Sequence, residues 1–143
     1  NLTVITNNLN VAMAMSDEPS NRIIIPEGEL RLPDRDILGN DVLELFGRYR
    51  AEFAIFGVAG VELDGSLLDF HSTEVRARQK ISANAQKSIL VVDHSKFGRQ
   101  APALGGNIAD MDRIIIDRRP GAQFAPLLNN IKDRLLVAEG HAT

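Results

Sequence analysis

The stretch "SILVVDHSKFG", residues 88–98, is an apolar run that stops abruptly at an acid, a histidine, a hydroxyl and a lysine. Its apolar half is continuous rather than alternating, the pattern of a strand buried on both faces of a parallel sheet. Five further runs share that character: "LTVIT" (2–6), "RIIIP" (22–26), "FAIFGV" (53–58), "RIIID" (113–117) and "RLLVAE" (134–139). Helical spacing lies between several of them. Val42, Leu45, Phe46 and Tyr49 fall at i, i+3, i+4 and i+7, as do Phe124, Leu127, Leu128 and Ile131.

"LNVAMAM" (9–15) is apolar nearly all round and predicts a helix buried against a sheet. Residues 73–85 predict a helix whose inner face is Val75, Ile81 and Ala85. Strands alternating with helices predict an α/β fold, a mostly parallel sheet flanked by helices with right-handed crossovers. Residues 26–39 and 98–111 read as loops, the first with a short β-excursion around Glu29–Leu32. Neither repeats nor an internal domain boundary are visible.

Composition excludes several classes. The sequence contains 16 basic and 19 acidic residues, a formal charge of −3, with no basic block, so the chain is poorly equipped to grip DNA alone. It has no cysteine, which removes disulfides and thiolate metal sites and fits a reducing compartment. No run approaches the ~20 apolar residues that span a bilayer, and no signal peptide is evident. A cytoplasmic protein with no membrane partner is expected. A chain of 143 residues suits one domain with a real core.

Ligands of open α/β sheets bind beyond the carboxyl ends of the strands. The first run ends in Thr6-Asn7-Asn8 just before a helix, which suits either an anion at the free N–H groups or plain capping. The third ends in "GVAGVELDG", where Gly57 and Gly60 let backbone approach a ligand. The spacing matches no nucleotide motif, and Asp64-Gly65 reads as a hairpin turn.

In "FHSTEVRAR", Ser72 or Thr73 is placed to cap a helix, and Glu74 complements its dipole. Glu74 and Arg78 fit an exposed i,i+4 ion pair or, functionally, a carboxylate for substrate hydroxyls and a cation for phosphate. Asp93, His94 and Ser95 are adjacent, so they cannot converge as a triad. The sequence has three histidines, His71, His94 and His141, without a helical pair, which argues against zinc. What survives in "VVDHSKFG" is Lys96 as a clamp for an anion.

Taken together, "TVITNNLNVA" (3–12), "GELR" (28–31), "DGSLLDFHSTEVRARQKI" (64–81) and "ILVVDHSKFGR" (89–99) resemble the sensor domain of DeoR-type transcriptional repressors, over roughly residues 1–118. The resemblance implies a fold of the sugar-phosphate isomerase and deaminase type. It also implies that residues 1–143 form an effector-binding domain, truncated at its N-terminus. A helix-turn-helix that binds operator DNA, a first strand and a Gly-Thr-Thr phosphate loop would precede Asn1.

The implied effector is a phosphorylated small molecule, glycerol 3-phosphate or a sugar phosphate, with no cofactor and no metal. The implied ligand-binding residues are Thr6, Asn7, Gly28, Gly57, Gly60, Glu74, Arg78 and Lys96. Glu27 departs from the family's Gly-Gly turn, and Arg78 stands where many relatives have lysine. Related pentose-phosphate isomerases carry an acid where this chain has Ala59. Enediol chemistry needs a carboxylate in reach, so no catalytic residue is assigned and a sensor is expected rather than an enzyme. The alternatives are an active isomerase or deaminase using Glu74, and an oligomerisation module presenting "LNVAMAM" or the Phe124–Leu128 helix. A homo-oligomer is expected in either regulatory case.

Overall fold

The computed structural model describes residues 1–138; Glu139 and His141 of the sequence reading lie outside them. It falls into two compact units, Asn1–Tyr49 and the remainder from Arg50, although no internal boundary is visible in the sequence.

In the first unit β1 (Thr3–Ile5) leads through α1 (Leu9–Met15) to β2 (Arg22–Ile24), which pairs with β1 in parallel, Val4 opposite Ile23. Contrary to expectation α1 is not a buried helix: Ala12 is its buried residue, and Met13 is 63% exposed. A helix of two turns lays only one narrow stripe on its support, so apolar residues on its other sides stay in water. The β-excursion expected near Glu29–Leu32 is reduced to an antiparallel bridge between Arg31 and Asp36, reinforced by a guanidinium–carboxylate fork at 2.9 Å. α2 (Asn40–Gly47) buries Val42, Leu45 and Phe46, the face that its spacing predicts.

The second unit runs β3 (Ala51–Phe56), β4 (Gly60–Val61), β5 (Ser66–Asp69), α3 (Ser72–Ala83), β6 (Ala85–Val92), β7 (Ala103–Asn107), β8 (Arg113–Ile116), α4 (Ala125–Asn130) and β9 (Leu135–Val137). A four-stranded sheet, ordered β3-β6-β8-β9, is parallel throughout. The expected Asp64-Gly65 turn joins β4 to β5 in an antiparallel hairpin. β7 adds to β5, making a second, antiparallel sheet inside what the sequence presents as the 98–111 loop. β7 reads "ALGGN", without a β-branched residue, so no strand signal marks it. Its Gly105 sits where a Cβ would collide with Val75 of α3.

The strand order explains the core. It advances in one direction only, so right-handed connections must all lie on one face of the sheet. They do: Leu90, Val92, Ile114 and Ile116 of that face cluster with Val61 and Leu67 of the hairpin, Ile108 after β7, and Leu127 and Leu128 of α4. Each such side chain contributes about 1.5–3 kcal/mol by leaving water.

The opposite face carries Phe53, Ile55, Val91 and Leu136, which are 55%, 64%, 45% and 57% exposed among the described residues. Burial on both faces, expected from the continuous apolar runs, is therefore met on one face of this sheet. A crossover that returned in the other direction would be needed to cover the second.

Candidate functional site

The carboxyl ends of β3 and β6 lie side by side, Phe56 in register with Leu90, and the loops that leave them carry the candidate groups. After β6 the chain tightens into a 3₁₀ turn, His94–Lys96, with Asp93 as its N-cap. The Asp93 carboxylate accepts from the Ser95 hydroxyl and from the Ser95 N–H at 2.8 Å, and Lys96 Nζ reaches it at 3.2 Å. The Ser95 side chain and backbone, then Lys96, hold the Asp93 carboxyl down at about 2. Lys96 is thus placed at the strand end as expected, half-buried and already paired.

His94 turns away from Ser95. Its Nδ1 lies 2.7 Å from Asp117 Oδ2, its N–H donates to Asp117 Oδ1 at 2.7 Å, and Arg118 packs against the ring. Burial pulls the Asp117 carboxyl upward, but the His94 donors outweigh it and hold it below its ordinary value. The acid–histidine pair therefore forms with a residue 23 positions away, at the end of β8, and excludes the serine. This arrangement is a surface ion-pair cluster and not a nucleophilic triad.

Gly57 begins the loop after β3, next to the Val91 carbonyl. Gly60 is buried where a Cβ would collide with the Arg99 carbonyl oxygen, because β4 and the Phe97–Arg99 segment run against each other, the Gly98 N–H donating to Val61 at 2.8 Å. Gly60 is thus required by backbone packing.

α3 is N-capped by His71, not by Ser72 or Thr73, which lie one and two positions into the chain beyond the cap. The Glu74 carboxylate closes the first turn by accepting the His71 N–H at 3.0 Å. The inner face of α3 is Val75, Ala77 and Arg78, rather than Val75, Ile81 and Ala85.

Arg78 is 5% exposed, and its Nε and Nη2 both donate to Asp69 Oδ2, at 3.0 and 2.9 Å. Asp69, also 5% exposed, is the functional-site neighbour that the sequence does not single out. The available signal was an acid closing the apolar run "SLLD", nine residues before an arginine on the next helix. Burial pushes the Asp69 carboxyl up, opposed by Arg78 and by the Ala59 N–H. Both partners are satisfied, as a buried ion pair requires.

Thr6, Asn7 and Gly28 belong to the first unit. Thr6 Oγ1 accepts the Asn8 N–H at 3.1 Å, and Asn8 Oδ1 caps α1 through the Val11 N–H at 3.0 Å. Asn7 Nδ2 donates to the Ile37 carbonyl at 2.9 Å. Gly28 has φ +138°, and a Cβ there would stand 2.8 Å from Ile37 Cγ2, so the position demands glycine. These polar groups all have local structural partners. Gly57, Gly60, Glu74, Arg78 and Lys96 belong to the second unit.

Comparison with known proteins places this geometry. The family model described as "DeoR C terminal sensor domain" matches residues 1–118. The chain is 41% identical over 130 residues to the glycerol-3-phosphate regulon repressor of Escherichia coli K12, covering 91% of this chain and 52% of that protein. It is 32% identical over 139 residues to the repressor of the same name from Haemophilus influenzae, covering 97% and 54%. To the deoxyribose operon repressor of Escherichia coli K12 it is 25% identical over 134 residues, covering 94% and 53%. The chain thus spans about half the length of the curated relatives it matches. Those relatives are named as repressors, and the matched segment is described as a sensor domain. This chain belongs to the DeoR C-terminal sensor domain family.

Proposed function

We propose that the chain is the effector-sensing part of a repressor, that it binds a phosphorylated small molecule, and that the effector is glycerol 3-phosphate. The observation that carries the choice of ester is the 41% identity to a glycerol-3-phosphate regulon repressor across 91% of the chain. The strand-end geometry supports it: a cation, Lys96, stands in the turn after β6, whose next residue Phe97 bridges to Val61 beyond the glycine loop, and Ala59 offers no carboxylate for turnover.

In this reading Lys96 exchanges its exposed Asp93 contact for the phosphate, and the Gly57–Gly60 backbone borders the carbon skeleton. Glu74 acts at the start of α3, and Arg78 supports the wall from behind. Operator DNA is bound through a domain outside this chain, in a cytoplasmic homo-oligomer.

Effector binding then lowers operator affinity by favouring a conformation that grips DNA less well. Such couplings are typically ~1–3 kcal/mol and are reciprocal. The test is operator affinity of the full-length repressor with and without saturating glycerol 3-phosphate. A five- to hundredfold loss, on the order of that coupling, is expected; unchanged affinity contradicts the reading.

A further inference from the structure

The buried pair Asp69–Arg78 touches both ends of the loop between β3 and β4. At one end the Arg78 guanidinium lies 5.8 Å over the ring of Phe56, the last residue of β3. At the other, the Ala59 N–H is shared between the Leu68 carbonyl at 2.9 Å and Asp69 Oδ1 at 3.2 Å. Between those anchors stand Gly57 and Val58.

The two carboxylate oxygens divide the work. Oδ2 takes both Arg78 donors, which fixes the plane of the group and leaves Oδ1 aimed at the loop. An amide at this position has one acceptor oxygen and cannot serve both partners. Because Arg78 and Asp69 are both sealed from water, neither has a solvent substitute if the other is lost.

We propose that Asp69, oriented by Arg78, is a positioning residue: it sets the shape of the Gly57–Gly60 loop and, through that loop, the affinity for the effector. The inference rests on the proposed reading of the loop as an effector contact.

Two double variants separate positioning from bulk stability, because neither leaves a buried charge alone: D69N/R78M and D69L/R78M. Replacing a buried ion pair with neutral groups of similar volume is often tolerated. With Arg78 gone, the amide oxygen introduced by D69N is free to accept from Ala59, whereas the side chain introduced by D69L has no acceptor to offer. Amide exchange at Ala59, read by NMR, and calorimetric affinity for glycerol 3-phosphate are the two measurements. D69L/R78M is expected to exchange Ala59 and to release the ester about two- to threefold more readily than D69N/R78M, the low end of one hydrogen bond's worth, because the Ala59 N–H keeps the Leu68 carbonyl.

Equal affinities in the two variants, both with native circular dichroism, would reduce Asp69 to a stabilising residue and overturn the proposal. Equal loss of binding in both, with Ala59 exchange as slow as in wild type, would mean that Arg78 acts on the ester without the loop, which also overturns it. If D69L/R78M does not fold, D69A/R78M against D69N/R78M gives the same comparison, since it too offers Ala59 no acceptor and leaves no buried charge. A wild-type chain that binds no ester while Ala59 exchange differs as expected would remove the effector reading and leave the loop tether standing.

Discussion

Two acid–base clusters sit on neighbouring elements of the second unit, and they are built in opposite ways. Asp69 and Arg78 are each 5% exposed, share a forked contact, and close a gap between β5, α3 and the loop after β3. Asp93, His94, Lys96, Asp117 and Arg118 hold one another at the surface, beyond the carboxyl ends of β6 and β8. Burial pushes the Asp69 carboxyl up, whereas hydrogen bonds from Ser95 hold the Asp93 carboxyl down. The first cluster is already fully paired in the interior, and loss of one partner leaves an uncompensated charge. The second stands in water, where partners exchange at little cost. Chemical density along the sequence marks the second cluster; energetic weight falls on the first.

The largest expected effect comes from breaking the buried pair. Arg78→Ala should cost about 3–5 kcal/mol in denaturant unfolding, because Asp69 is left buried and unpaired. A loss below ~1 kcal/mol, the range of surface pairs, would erase the contrast between the clusters. Lys96→Ala should change stability by less than ~1 kcal/mol, since its Asp93 contact is exposed. Should that variant unfold, Lys96 is part of the scaffold and cannot be a clamp.

The smallest effect is in acid. The folded-state value of Asp93 is depressed from 3.8 to about 2. Its contribution is therefore fully present above 3.8 and is lost as pH falls through about 2. A carboxyl-detected NMR titration should show Asp93 as the low outlier. A midpoint near 3.8 would mean that the Ser95 and Lys96 contacts do not persist in solution.

Much of the architecture is legible from residue pattern because parallel strands announce themselves. All six apolar runs hold strands, and the spacings at 42–46 and 124–131 bury the faces they predict. The antiparallel sheet is nearly silent, since β4 has two residues and β7 is built on two glycines. Continuous apolar runs overstate burial: Phe53 and Ile55 are as apolar as Leu90, yet crossovers that all wind one way leave their face uncovered by this unit.

At the candidate site, adjacency correctly excludes a triad from Asp93, His94 and Ser95, and strand-end logic places Lys96. Asp117 as the partner of His94 and Asp69 as the partner of Arg78 come from separations of 23 and nine residues that only the fold closes. Local spacing instead suggested Glu74 for Arg78, and Glu74 closes the helix turn on His71.

Calorimetric titration of glycerol 3-phosphate into the wild-type chain and into Lys96→Ala, with glycerol and fructose 6-phosphate as controls, decides whether Lys96 holds a phosphate ester. Saturable binding of glycerol 3-phosphate to wild type, weaker binding to Lys96→Ala, and no heat from glycerol are expected. Heat from fructose 6-phosphate alone would contradict the assigned effector. Binding that Lys96→Ala leaves untouched would contradict the assigned clamp.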